Sequence, residues 1–169
     1  MMKSFVQTKK GVSLVELLLY MAIMGILLTS IVSFISVNES MNKRNQAISE
    51  VDMQGWEVMR FLTQSIKNAQ SVTQPVFGEN SAVLTLIVDD QTKNPTIFDV
   101  SSGVLRVKEG LSNPTTLTNA QVIVSNLSFT NTGVDATEES IKIQFDISYF
   151  NTSDNTQYQK TIYGTATPR

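Results

Sequence analysis

Few side chains in this sequence could do chemistry, and their types narrow what that chemistry could be. Among 169 residues there is no cysteine and no histidine. Thiol nucleophiles, disulfides, zinc fingers, haem or iron–sulfur ligation and imidazole bases are therefore excluded. An enzyme built from what remains would rest on carboxylates, Lys, Tyr or Ser, and no glycine-rich phosphate loop is present. Asp89, Asp90 and Asp99 offer oxygens of the kind a calcium ion takes; against that stands the simpler reading of an acidic turn solvated by water. Three Asn-x-Ser patterns, beginning at Asn38, Asn126 and Asn151, match a glycosylation signal short enough to arise by chance in a chain rich in Ser, Thr and Asn. The carboxylate with the most unusual setting is Glu16, the only charge between Val12 and Asn38.

Glu16 stands at the head of a long apolar run. From Leu17 to Val37, 16 of 21 residues are hydrophobic, and a helix of that length covers about 30 Å, the thickness of a bilayer core. Ahead of it lies a leader, Met1 to Gly11, that carries Lys3, Lys9 and Lys10 and no acid. Basic residues before an apolar run hold the N-terminus in the cytoplasm and send the downstream chain across the membrane. A cleaved secretory signal would have an apolar region of roughly 7–15 residues and an A-x-A-like site; this run is longer and has no such site between Thr29 and Ser40. An ionised carboxylate inside the membrane costs at least about 2.5 kcal/mol. Glu16 therefore either reaches the headgroups from the helix end or has a specific partner.

The string Lys9-Lys10-Gly11-Val12-Ser13-Leu14-Val15-Glu16-Leu17-Leu18-Leu19 resembles the prepilin processing and methylation motif of type IV pilins and of the pseudopilins of type II secretion systems. The resemblance implies that a prepilin peptidase cuts between Gly11 and Val12, N-methylates the new Val12 amine and leaves Glu16 as the fifth mature residue. It further implies that Glu16 pairs with the Val12 amine of a neighbouring subunit, each charge offsetting the burial cost of the other. A glycine gives a protease close access to the backbone, and the lysines keep the site at the cytoplasmic face. Val12 replaces the family's usual phenylalanine with another apolar residue. Gly25 matches the glycine at which the N-terminal helix of many major pilins loosens in the filament, but Ser33 occupies the place of the proline that usually bounds that loosened stretch.

Beyond the apolar run, no proline occurs before Pro75 and helix formers dominate. Ile48, Val51, Gly55, Val58, Leu62, Ile66 and Ala69 recur at spacings of three and four, one apolar stripe of an amphipathic helix. Lys43, Arg44, Glu50, Glu57, Arg60 and Lys67 occupy the other side. The spacing predicts a helix from Glu16 to about Ala69, roughly 80 Å long at ~1.5 Å per residue. Gly55 in the stripe should let a strand approach closely, at ~1 kcal/mol in helix propensity. After Gln70 the period becomes two. Ser140–Phe150 alternates Ile141, Ile143, Phe145, Ile147 and Tyr149 with polar residues, as a strand covered on one face requires. Further strands are expected at Ala82–Val88, Thr96–Val100, Val104–Lys108, Val122–Phe129 and Tyr158–Gly164, divided by turns at Asp89–Pro95, Ser101–Gly103, Asn131–Gly133 and Asn151–Asn155. The expected fold class is α+β, a long N-terminal helix packed on an antiparallel sheet, which resembles the pilin fold. The organisation expected is a leader over 1–11, a transmembrane or filament-core half-helix over 12–37, an amphipathic half over 38–70 and a sheet domain over 71–169.

The segments Arg60–Ala69 and Leu117–Phe129 resemble minor pilins and minor pseudopilins more than abundant major pilins. The implied function is a structural filament subunit with no catalysis or cofactor of its own, in a type IV pilus or type II secretion-like pseudopilus. The implied partners are prepilin peptidase, other pilin subunits, an assembly platform in the cytoplasmic membrane and, before assembly, the lipid bilayer. Without its leader the chain has 10 basic and 15 acidic residues, a net charge of -5, which argues against broad nucleic-acid affinity. The alternative is a bitopic protein whose uncleaved anchor presents a β-rich binding module outside the cell.

Overall fold

A long stretch without proline, then alternating segments broken at Gly, Asn and Asp, fold as one helix and nine strands among the described residues. A computed structural model describes residues 11, 13–133, 139–151 and 156–169. The helix α1 runs Leu14–Lys67. The strands are β1 Ser71–Gln74, β2 Asn80–Ser81, β3 Leu84–Ile87, β4 Thr96–Ser101, β5 Val104–Glu109, β6 Thr115–Thr116, β7 Val122–Asn131, β8 Ile141–Asn151 and β9 Thr156–Ala166. Two compact units divide the chain, Met1–Asn42 and Lys43–Arg169.

In the second unit the expected single sheet is two. One sheet has the order β1-β3-β4-β5-β6, the other β2-β7-β8-β9, and all pairings are antiparallel. Each expected strand forms, with its ends displaced by no more than about two residues, the ordinary uncertainty of element boundaries. The short strands β1, β2 and β6 had no periodic signal, because so few residues cannot display one. The turn between β4 and β5 is as expected: Ser102 and Gly103 both take positive φ, 52° and 78°, the two-residue hairpin turn whose twist matches the strands. The Gly103 carbonyl accepts from the Val124 amide of β7 at 2.8 Å, so this turn joins one sheet to the other.

The core lies between the second half of α1 and both sheets. On β8, Ile141, Ile143, Phe145 and Ile147 are fully buried, each burial worth roughly 1.5–3 kcal/mol; Phe98 of β4 and Phe129 of β7 join them. The helix contributes Ala47, Val51, Gln54, Gly55, Val58, Met59, Leu62 and Ile66. Ile48 is only half-buried, and Ala47, Gln54 and Met59 lie outside the expected stripe. The buried face is wider than a narrow stripe because two sheets, not one, meet it.

Gly55 and Gly164 set the distance between α1 and β9. A Cβ on Gly55 would stand 2.1 Å from Ile162 Cδ1, and one on Gly164 would stand 2.4 Å from Met59 Sδ. Each element thus inserts a large side chain where the other has none. Beside this contact, Lys160 Nζ of β9 meets Asp52 Oδ1 of α1 at 2.6 Å. Its Asp52 partner raises the Lys160 pKa above the usual 10.5.

Asp146 of β8 ties its two neighbouring strands together. It accepts from Thr161 Oγ1 of β9 at 2.6 Å and from Asn126 Nδ2 of β7 at 2.7 Å. Asn126 reaches it from a bulge between Ser125 and Ser128, where its φ is 50°, a conformation that Asn tolerates better than most residues. The Thr161 and Asn126 donors hold the Asp146 carboxyl below its usual value of 3.8.

Gly55→Leu should destabilise the protein by about 1–3 kcal/mol through overpacking, and Ile162→Ala in the same chain should recover part of that loss; denaturant unfolding of the single and double variants measures both. A carboxyl with a lowered folded-state pKa stabilises above its unfolded value and loses that contribution as pH falls through the folded one. Asp146→Asn should therefore lower stability at neutral pH by no more than about 1 kcal/mol and flatten the loss of stability seen below pH 3.8. Thermal melts from neutral to acid pH check the slope.

Candidate functional site

The first unit contains the N-terminal part of α1, and among the described residues of that unit the helix has no apolar partner. Leu14 is 75% exposed and Phe34 70%, and every large hydrophobic residue between them is at least 47% exposed. This part of α1 is long and apolar enough to cross a membrane. A bilayer core requires backbone and side-chain polar groups to be satisfied within the segment. Several hydroxyls meet that demand by turning back on their own helix. Thr29 donates to the carbonyls of Gly25 and Ile26, Ser30 to Ile26, Ser36 to Val32 and Ser40 to Ser36, at 2.9–3.1 Å.

At the start of α1 the Ser13 carbonyl accepts from the Leu17 amide at 3.1 Å, which places Ser13 at the cap and Glu16 in the first turn. Ser13 and Glu16 have the spacing of a capping box, and the positive end of the helix dipole favours a carboxylate there. The side chain of Glu16 is engaged further along: Tyr20 Oη donates to Glu16 Oε1 at 3.2 Å. Residues at i and i+4 share a helix face, with side chains tilted towards the N-terminus, so Tyr20 leans back over Glu16. Tyr20 was not among the residues singled out from the sequence; its spacing of four from the lone carboxylate was the available signal.

Gly11 is exposed, with no heavy atom within 4 Å of where a Cβ would stand. Val12, Lys9 and Lys10 lie outside the described residues. Gly25 sits within unbroken α-helix. It likewise has open space at its Cβ position.

The three aspartates considered for calcium each have partners of their own. Asp99 holds Arg106 through two hydrogen bonds, Nε to Oδ1 at 2.9 Å and Nη2 to Oδ2 at 2.6 Å, the fork geometry natural to guanidinium and carboxylate. Asp99 raises the Arg106 pKa above its usual value. Asp90 accepts from the hydroxyl and amide of Thr92, which lower its pKa below 3.8. Asp89 accepts from the Gln70 side chain. No group of three or more His, Cys, Asp or Glu side chains able to hold a metal ion occurs among the described residues. The acidic turn is thus built from Asx-type and side-chain hydrogen bonds.

Residues 7–32 match the family described as the prokaryotic N-terminal methylation motif. The match begins ahead of Gly11 and Val12 and includes Glu16, Tyr20 and Gly25. With this match, the chain carries the type IV pilin and prepilin signature at its N-terminus. The α+β architecture, one long apolar N-terminal helix with antiparallel sheets, is consistent with a pilin-like fold. No curated protein and no solved structure matches the chain.

Proposed function

We propose that this chain is a minor structural subunit of a type IV pilus or a type II secretion-like pseudopilus. The observation that carries the reading is the methylation motif at residues 7–32, set on a helix whose apolar side chains are left uncovered from Leu14 to Val37. Such a surface needs a hydrocarbon environment, first the cytoplasmic membrane and then the packed helices of a filament. Prepilin peptidase removes residues 1–11 on the cytoplasmic side and methylates Val12. Glu16 then neutralises the Val12 amine of a neighbouring subunit as both leave the lipid for the filament core. An assembly platform in the cytoplasmic membrane carries the subunit between those two environments, and the sheet-bearing unit remains on the extracytoplasmic side. The second half of α1 is the link between anchor and head, and Gly25 is the point at which the anchor could loosen on assembly. The role is structural and uses no cofactor.

Mass spectrometry of the membrane-extracted protein should find N-methylated Val12 as the first residue. An intact Met1 or Met2 would instead identify an uncleaved anchor, and a start beyond about Ser30 a secreted protein. Glu16→Val should still insert in the membrane, while its incorporation into filaments falls roughly a hundredfold, the loss of about 3 kcal/mol expected when one partner of a buried ion pair is removed. Filament incorporation of Glu16→Val at the normal level would overturn the pairing role.

A further inference from the structure

Between Leu14 and Leu28, only Glu16 and Tyr20 have side chains with nitrogen or oxygen atoms. They lie one turn apart and are joined by the 3.2 Å bond from Tyr20 Oη to Glu16 Oε1. The other oxygen, Oε2, takes no donor among the described residues. The hydroxyls of Thr29, Ser30, Ser36 and Ser40 all return to backbone carbonyls of their own helix. Tyr20 differs from them in donating its hydrogen bond to a side chain. A phenol ring is also suited to the place: its apolar body tolerates lipid while its hydroxyl finds a polar partner.

We propose that Tyr20 is the positioning residue for Glu16, holding Oε1 so that Oε2 is presented to the cationic amine of a neighbouring chain. This deepens the filament reading above and rests on it. A carboxylate alone on a helix flank has several rotamers, and ordering a long side chain costs free energy each time a pair forms. Tyr20 removes that freedom before the neighbour arrives. It also supplies one hydrogen bond to the charged form while the subunit waits in the membrane, where an unaccompanied carboxylate is costly. When the amine arrives, it takes the vacant oxygen and the phenol keeps the other. The pair then has the additional hydrogen bond that a buried ion pair needs to offset its desolvation.

Two measurements on the full chain test this. In protein labelled with carbon-13 at the tyrosine Cζ and reconstituted in lipid bilayers, the Tyr20 resonance is identified among the four tyrosines by its loss in Tyr20→Phe. It should move in Glu16→Val, while the resonances of Tyr149, Tyr158 and Tyr163 stay in place. In the native host, Tyr20→Phe should retain trimmed, methylated Val12 yet enter filaments about tenfold less, the scale of one hydrogen bond to a charged group. A Tyr20 resonance indifferent to Glu16→Val, or wild-type incorporation of Tyr20→Phe, overturns the assignment. A wild-type chain that keeps its leader overturns the filament reading itself and is recognised separately, because that result does not depend on Tyr20.

Discussion

An apolar surface left uncovered by the described residues calls for an apolar environment, and that constraint organises the N-terminal unit. Leu, Ile, Met, Val and Phe occur on every side of α1 before Asn38, and no strand of the first unit is available to shield them among the described residues. The hydroxyls of Thr29, Ser30 and Ser36 accordingly turn back on the helix, which keeps their polar atoms from facing hydrocarbon unpaired. Between Val12 and Asn38 the only charge is the carboxylate of Glu16, placed where the helix dipole favours it. A hydrophobic residue at this position would suit a lipid bilayer better, so the carboxylate is the one side chain of the run that anchoring alone does not call for.

In the second unit the same helix type meets the opposite situation. Its apolar face, Val51, Val58, Leu62 and Ile66 among others, is buried almost completely, because two sheets converge on it. Close packing there depends on what is absent as much as on what is present. Ile162 fits because Gly55 has no side chain, and Met59 fits because Gly164 has none. Intrinsic helix propensity disfavours glycine at this position by ~1 kcal/mol, and the contact with β9 is the compensating gain.

The carboxylates illustrate how surroundings decide chemistry. Asp99 is matched by an Arg106 directly across the hairpin, Asp146 by two uncharged donors on adjacent strands, and Asp90 by the turn it caps. Each has its partners within its own unit. Glu16 differs: among the described residues it has one uncharged donor and an oxygen to spare, in the part of the chain where an unmatched charge is most expensive.

Much of this was legible in the sequence. A period of 3.6 or 2 survives in the residues themselves, so α1, the long strands β7 and β8 and the Ser102–Gly103 turn could be read from the residues alone. The N-terminal methylation motif was legible for another reason: it is a local string, a lysine pair, a glycine, a spaced carboxylate and an apolar run, and needs no contact between distant residues. Tertiary structure alone decided what depends on meetings between distant residues. It divided one expected sheet into two, widened the buried face of the helix to include Ala47, Gln54 and Met59, and paired Asp99 with Arg106. Local periodicity records which face of an element is apolar; it holds no record of how many elements will converge on that face, since that is settled by packing between segments far apart in the chain.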